Sequence, residues 1–157
     1  MKKGFAFDFD DTLVKTDCKI LVVKDGGVIK RLSTDEFHSY SLEHGEQFDF
    51  HELNQVINPV KLHTIELAKQ VAEENHDVFI ITARSEKSRE SILRWLESEN
   101  LQVTKIYCVG DKNKSIAEEK SSVLIELMGA LDKIYFYDDN HDNVNEAKKN
   151  GIKSYKI

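Results

Sequence analysis

The stretch Gly4–Thr12, with the sequence GFAFDFDDT, sets an apolar run directly before a cluster of carboxylates and a hydroxyl. A continuous apolar run, rather than an alternating one, is typical of a strand that is covered on both faces in a parallel sheet. In an open α/β sheet, ligands bind beyond the carboxyl ends of the strands. This stretch therefore predicts a buried parallel strand with a binding crevice at its end.

Similar apolar runs recur along the chain and alternate with segments of helical period. Further strands are predicted at Val78–Ile81, Lys105–Val109, Ile134–Tyr137 and Lys153–Ile157. Helices are predicted at Val60–Asn75, Glu86–Asn100, Ser115–Leu131 and Asp142–Lys149. Strands that alternate with helices form right-handed βαβ units. The predicted fold class is α/β, with a three-layer, doubly wound parallel sheet.

The alternation is interrupted after the first strand, over residues of about 16–58. Two runs, Cys18–Val23 and Val28–Leu32, flank the turn signal Asp25-Gly26-Gly27 and predict a β-hairpin. Two short helices complete the expectation for this segment: Ser33–Leu42 and Phe48–Ile57. We interpret it as a flap or minimal cap inserted into a single domain over residues 1–157, because such insertions usually lie above a scaffold.

Composition limits the classes of function. The net charge of −6 argues against a broad, non-specific nucleic-acid binder, although a local basic groove stays compatible with it. Val78–Ile81, one of the longest apolar runs, is far shorter than the ~20 residues of a membrane-spanning helix. Cys18 and Cys108 lack the spacing of metal ligands, so we expect free thiols and a cytoplasmic protein.

Polar residues follow three of the predicted strands at the point where each strand ends. The first strand is followed by Asp8 and Asp10, the second by Thr82, and the fourth by Asp138 and Asp139. Carboxylates that converge at one crevice repel one another strongly at low effective dielectric. A hard divalent cation relieves this repulsion, and an all-oxygen ligand set suits Mg²⁺. The pattern thus predicts a Mg²⁺ site at which a phosphate completes the coordination.

These motifs resemble those of the haloacid dehalogenase (HAD) superfamily of phosphotransferases. The family's first motif, an apolar strand followed by DxDx[T/V], matches Phe5–Thr12. Its second motif matches Val78–Thr82, and its fourth, a strand that ends in an acidic pair, matches Ile134–Asp139. The resemblance covers the α/β scaffold and hence most of the chain. It implies a HAD-like Rossmannoid fold and a Mg²⁺-dependent phosphomonoesterase.

The resemblance also implies a role for each matched residue. Asp8 is the nucleophile that forms an aspartyl-phosphate, and Asp10 is the general acid and base. Thr82 donates its hydroxyl to a phosphoryl oxygen. The metal ligands are Asp8, the backbone carbonyl of Asp10, and the pair Asp138 and Asp139. Further expected contacts to the phosphate or substrate are Thr12, Arg84 and Lys114. A solvated loop charge is the alternative role for Arg84.

The family's third motif is a lysine that neutralises developing charge. Lys120 lies 18 residues before Asp138, which leaves room for a helix and a strand between them. Lys112 and Lys114 lie in a polar loop nearer the third strand. We favour Lys120 over Lys114 as the catalytic lysine. This choice expects Lys120 near a helix start, and therefore a helix that begins later than the periodicity indicates.

Three segments bear on the substrate. Val56–Pro59, Thr82–Glu86 and Lys120 are similar to their counterparts in the 3′-phosphatase domain of phage polynucleotide kinase/3′-phosphatase. That similarity implies removal of a 3′-phosphate from a nucleic-acid end. The sequence contains no kinase P-loop, GxxxxGK[ST], and its acidic balance offers little general attraction for a polyanion. Free nucleotides and small sugar phosphates are the alternative substrates, and a non-enzymatic phosphoryl or nucleotide sensor is the alternative function.

Overall fold

The computed structural model describes residues 2–157. In chain order its elements are β1 (Lys3–Phe7), β2 (Val14–Lys15), β3 (Ile20–Lys24), β4 (Gly27–Leu32), α1 (Thr34–Ser39), β5 (Gln47–Asp49), a 3₁₀ turn (His51–Asn54), β6 (Val60–Lys61), α2 (Thr64–Glu73), β7 (Asp77–Thr82), a second 3₁₀ turn (Glu86–Ser88), α3 (Arg89–Ser98), β8 (Lys105–Cys108), α4 (Ile116–Ala130), β9 (Lys133–Asp138), α5 (His141–Lys149) and β10 (Lys153–Lys156). The predicted scaffold strands and helices are all present, with ends shifted by a few residues.

The central sheet has five parallel strands in the order β10-β9-β1-β7-β8. β1 lies in the middle, where Phe7 is in register with Ile80 of β7 and with Tyr137 of β9. The chain first builds the sheet outward from β1 through β7 and β8, and then returns to β9 on the other side of β1. The topological switch point therefore lies between β1 and β9, which is where ligands bind in open α/β sheets.

Helices cover both faces of the sheet and bury an apolar cluster on each side. On one face, α2 and α3 pack against residues such as Phe7 and Ile80. On the other face, α4 and α5 pack against the alternate residues, among them Ala6, Ile81 and Phe136. The structure thus confirms the predicted class, a three-layer α/β fold with a doubly wound parallel sheet.

The insertion after β1 forms a three-stranded antiparallel sheet, in the order β4-β3-β5, and is flanked by a two-stranded sheet, which we call the base. The predicted hairpin is confirmed, since β3 and β4 pair around Asp25 and Gly26. Both residues have the positive φ that a tight hairpin turn requires, 51° and 78°. The base consists of β2 and β6, which place Val14 opposite Lys61. Strands of two residues are too short to leave a periodic pattern in the sequence.

One predicted helix of the insertion is confirmed and the other is wrong. Ser33 caps α1 through a reciprocal capping box with Glu36. Within Phe48–Ile57, by contrast, Phe48 belongs to β5 and lies opposite Val22 of β3, and only a 3₁₀ turn follows. A short apolar run does not distinguish a strand from a helix, so the available partner strand decided the outcome.

Cys18 and Cys108 are both unpaired and buried. Burial raises the pKa of the Cys108 thiol, which keeps it protonated at neutral pH. Across residues 2–157, no helix combines the length and the apolar character needed to cross a bilayer.

Gly110 lies where the chain after β8 passes closest to the loop after β7. Its N–H donates to the carbonyl oxygen of Arg84 over 3.1 Å, and a Cβ at this position would lie 2.3 Å from the carbonyl oxygen of Ala83. Gly110→Ala would force two backbone segments apart. We therefore expect the free energy of unfolding, measured by urea denaturation, to fall by about 1–3 kcal/mol.

Gly129→Ala in α4 is the matched control. Apart from the adjacent residues and the backbone of α4 itself, no atom lies within 4 Å of the Cβ that this substitution adds. Because alanine stabilises a helix relative to glycine, we expect the free energy of unfolding to rise by about 0.8–1.0 kcal/mol. A loss of stability at both positions, or at neither, would contradict the close approach at Gly110.

Candidate active site

A buried ion-pair triad joins α4 to the ends of β1 and β9. Lys120 Nζ donates to Asp8 Oδ1 and to Asp138 Oδ2, each over 2.8 Å. The side chains of Lys120, Asp8 and Asp138 are 1%, 10% and 0% exposed. Burying a charge costs several kcal/mol unless the charge is paired and hydrogen-bonded. Each member of the triad therefore depends on the other two.

Lys120 reaches the triad from the second turn of α4. The helix begins at Ile116, after Ser115, whose hydroxyl accepts a hydrogen bond from the Glu118 N–H. The expectation that the helix begins later is therefore wrong. A lysine stem of four methylenes is long enough to run along the apolar helix face and deliver its ammonium beyond it. Lys120 thus reaches the strand ends without lying at the helix start.

The hydroxyl of Thr12 connects the carboxylates on the other side of the site. Thr12 Oγ1 lies 3.2 Å from Asp8 Oδ2 and 3.3 Å from Asp139 Oδ1, so its single proton serves one of them at a time. It also accepts a hydrogen bond from the Asp139 N–H over 3.1 Å. Asn143 of α5 donates to Asp138 Oδ2 over 3.0 Å. Thr12 and Asn143 therefore hold the carboxylates in position.

Protonation in the triad follows from burial and from neighbouring charge. Burial raises the pKa of Asp8, against the opposing effect of Lys120, and the nearby Asp138 carboxylate adds to the rise. Burial alone would lower the pKa of Lys120, but Asp8 and Asp138 outweigh this effect and raise that pKa. Lys120 therefore keeps its positive charge across the neutral pH range.

Arg84 ties Asp10 to the insertion. Its Nε and Nη2 donate to the two carboxylate oxygens of Asp10, each over 2.8 Å, in the bidentate geometry that suits arginine. Its Nη1 donates to the carbonyl oxygens of Leu53 and Gln55. The Arg84 side chain is 2% exposed, so a solvated loop charge is not its role. A direct substrate contact would require Arg84 to leave these partners.

The two remaining predicted residues occupy different surroundings. Thr82 is buried at the end of β7, and its Oγ1 accepts a hydrogen bond from the Arg84 N–H over 3.2 Å. Lys114 is exposed in the loop before α4, and it forms no ion pair with any residue between 2 and 157. Of the candidate lysines, the structure therefore brings Lys120 to the carboxylates. The roles of Thr82 and Lys114 toward a substrate stay predictions.

Sequence reasoning missed three parts of the site. The carbonyl groups of Leu53 and Gln55 leave no signal, because any residue type supplies a backbone oxygen. Asn143 did leave one: it lies one turn before Ala147 on the buried stripe of α5, where a polar residue needs a partner. A buried Asn shortly after the acidic pair indicates a hydrogen bond to one of the two carboxylates, and the structure shows that Asn143 donates to Asp138.

Three carboxylates form a potential cation site. Asp8, Asp138 and Asp139 each offer an oxygen atom, and these atoms all lie within 4.8 Å of one another. A carboxylate-rich, all-oxygen set fits Mg²⁺. The Asp10 carboxylate is outside this group and forms an ion pair with Arg84. The predicted contribution of the Asp10 backbone carbonyl stays a prediction.

No protein-family model and no curated protein matches the sequence. Solved structures do match it. A chain of the Pnkp1/Rnl/Hen1 RNA repair complex matches over 99% of this chain, with a TM-score of 0.62 and 13% sequence identity. The match spans only 42% of that longer chain.

A second similar structure is a HAD family enzyme from Bacteroides thetaiotaomicron, solved with magnesium and inorganic phosphate. It matches over 99% of this chain and 94% of its own length, with a TM-score of 0.56 and 11% identity. At such identities the likeness concerns the fold. It confirms a HAD-like α/β fold for this protein, in agreement with the resemblance of its motifs.

Removing the charge of Lys120 tests the triad. Lys120→Met keeps most of the volume but leaves Asp8 and Asp138 buried without their cation. Without divalent metal at neutral pH, we expect the free energy of unfolding to fall by about 3–5 kcal/mol. Urea denaturation followed by Trp95 fluorescence measures this. Lys114→Met is the control and should change stability by less than about 0.5 kcal/mol, because Lys114 is exposed. Equal losses in both variants would refute the triad.

Proposed function

We propose that this protein, which has the fold of HAD family enzymes, is a Mg²⁺-dependent phosphomonoesterase that acts through an aspartyl-phosphate. The observation that carries the proposal is the group of Asp8, Asp138 and Asp139, with oxygens within 4.8 Å of one another. The buried ammonium of Lys120 lies beside it. The site thus offers a nucleophile, metal ligands and fixed positive charge, and phosphoryl transfer relies on positioning and charge of this kind.

Asp8 has the geometry of the nucleophile. Lys120 donates to Oδ1 over 2.8 Å, whereas the hydrogen bond from Thr12 to Oδ2 is longer, at 3.2 Å. Oδ2 is therefore the oxygen that attacks phosphorus while the bond to the leaving alcohol oxygen breaks. Asp138 and Asp139, with Asp8, would hold Mg²⁺, which would supply positive charge against the phosphoryl oxygens. Lys120 keeps the nucleophile oriented and remains charged beside it.

Asp10 acts as the proton carrier in this proposal. It first protonates the leaving oxygen, and then takes a proton from the water that attacks phosphorus and releases Asp8. The bidentate contact with Arg84 fixes the position of the Asp10 carboxyl group, which accepts the proton from water in the second step. Asp10 has to enter the first step protonated and turned away from Arg84, which otherwise binds both of its oxygens; the proton taken from water in the second step restores this form. Arg84 is therefore a positioning residue that acts through Asp10.

For the substrate, we propose a 3′-phosphate at a nucleic-acid end. Support comes from the motif segments shared with 3′-phosphatase domains and from the structural likeness to a chain of an RNA repair complex. Free nucleotides and small sugar phosphates are the competing substrates. The insertion above the strand ends consists of a small sheet and a short helix, and its carbonyl groups reach the site through Arg84.

Asp8→Asn should abolish phosphate release and leave the fold intact, because it removes the nucleophile while keeping the shape of the side chain. Phosphate release is measured with Mg²⁺ on an aryl phosphate, nucleoside monophosphates, sugar phosphates and 3′-phosphorylated oligonucleotides. Preference for the oligonucleotides would support end repair. Retained turnover in the variant would exclude Asp8 as the nucleophile. Mg²⁺-dependent ligand binding without any phosphate release by the unsubstituted protein would favour the sensor instead.

A double-mutant cycle tests whether Arg84 acts through Asp10. Asp10→Asn should slow turnover by about 10²–10⁴-fold, the usual contribution of a general acid and base. Arg84→Met should also slow turnover, but adding it to Asp10→Asn should cause little further loss in kcat/KM. Effects of residues that act as a unit are non-additive in this way. Fully additive losses would show that Arg84 acts independently of Asp10.

A further inference from the structure

One face of the central sheet is covered unevenly. The helices on this face, α2 and α3, pack against β1, β7 and β8, whereas β9 and β10 are covered by α4 and α5 on the opposite side. Alternate residues of β9 and β10 therefore point to a surface that these helices leave open. We call this surface the open face; its residues are Lys133, Tyr135 and Tyr137 of β9, and Lys153 and Tyr155 of β10.

Stacked aromatic rings cross the open face toward the edge of the sheet. The Phe7 and Tyr137 rings are 5.0 Å apart and inclined by 13°, and the Tyr137 and Tyr155 rings are 5.1 Å apart and inclined by 22°. β10 is the outermost strand, and Tyr155 is 46% exposed. Tyr155 thus has a neighbour on one side of its ring and solvent on the other. An aromatic ring of this kind is a platform on which another planar group can stack.

Lysines stand beside these rings. Lys153 Nζ lies 6.0 Å from the centroid of the Tyr135 ring. Lys133 lies directly opposite Lys3 of β1, on the same side of the sheet. In the described part of the chain, 2–157, none of these lysines forms an ion pair. Like charges directly opposite each other destabilise a sheet. A negatively charged ligand would relieve the repulsion between Lys3 and Lys133, so the open face favours such a ligand although the net charge of the protein is −6.

The open face leads to the candidate active site. Tyr137 is directly followed by Asp138 of the triad, which ends β9, and Asp139 comes next in the chain. At about 3.3 Å per residue, the path along β9 from Lys133 to Asp138 is about 17 Å long. A ligand that extends from the carboxylates along β9 would meet the aromatic rings first and the lysines after them.

We propose that the open face binds the single-stranded segment that precedes the phosphorylated 3′ end of a nucleic-acid substrate. A base stacks on the free side of Tyr155, and backbone phosphates lie near Lys133 and Lys153. Single strands are bound in this way elsewhere, by aromatic platforms that take bases and basic residues that follow the backbone. The inference rests on the proposed function, because it places the terminal phosphate at Asp8.

The test uses the full chain with Asp8→Asn, so that the substrate stays intact, together with a fluorescent oligothymidylate carrying a 3′-phosphate. Anisotropy gives the Kd over a range of salt concentrations. Lys133→Ala with Lys153→Ala should weaken binding and reduce the slope of log K against log salt by about 1.4, which is 0.7 for each lost phosphate contact. Tyr155→Ala should weaken binding about five- to 150-fold, and Tyr155→Phe should restore it, because stacking needs the ring alone.

Lys148→Ala with Lys149→Ala is the matched control. It removes the same charge from α5, on the opposite face of the sheet, and should leave the Kd and the salt slope unchanged. A loss as large in this control, or no loss in the open-face variants, would overturn the inference. Failure of Tyr155→Phe to restore binding would overturn the stacking.

The two proposals fail in distinguishable ways. Mg²⁺-dependent phosphate release from an aryl phosphate tests the proposed function without involving the open face. If the protein releases phosphate from the aryl phosphate but the open-face variants bind the oligonucleotide with an unaltered Kd, only the proposed binding surface is overturned. No release, combined with binding that depends on Tyr155 and the two lysines, overturns the phosphatase and leaves the binding surface standing.

Discussion

The candidate site depends on the two ion pairs that the Lys120 ammonium forms, one with Asp8 and one with Asp138. Two carboxylates buried side by side at the ends of β1 and β9 would repel each other and lose hydration. One cation at 2.8 Å from both offsets these costs and joins three elements of the scaffold. The same contact orients Asp8 and leaves its second oxygen weakly engaged. The Lys120 side chain thus both offsets the cost of burying two carboxylates and orients Asp8.

The two carboxylates of the first motif are held by different parts of the molecule. Asp8 is held by the scaffold, through Lys120 of α4 and through Thr12. Asp10, two residues later, is held by Arg84, which in turn depends on the carbonyl groups of Leu53 and Gln55 in the insertion. Neighbouring carboxyl groups in different environments are suited to different roles. The insertion therefore helps to hold Asp10 through Arg84, although none of its side chains joins the group of Asp8, Asp138 and Asp139.

Much of the scaffold could be predicted because its signals are local. Continuous apolar runs marked β1 and its neighbours, and stripes of period 3.6 marked α2 to α5. The segment at Phe48 was misassigned because its conformation depends on a distant part of the chain. It is a strand because β3 pairs with it, whereas an apolar run of that length suits a helix equally well. The start of α4 was misjudged because the length of a lysine side chain, rather than its position in the helix, brings Lys120 to the strand ends.

The order of residues along the chain establishes which chemical groups follow which strands, and therefore that carboxylates, a hydroxyl and a lysine are available at one edge of a parallel sheet. This is so because parallel strands end on the same side wherever the helices between them run. The tertiary structure decided the partners. It paired the Asp10 carboxylate with Arg84, and it brought Lys120, the lysine favoured from the sequence, to Asp8 and Asp138. It also left the aromatic and basic side of β9 and β10 without a covering helix. Pairing and coverage depend on residues far apart in the chain, so they arise only when the folded chain brings those residues together.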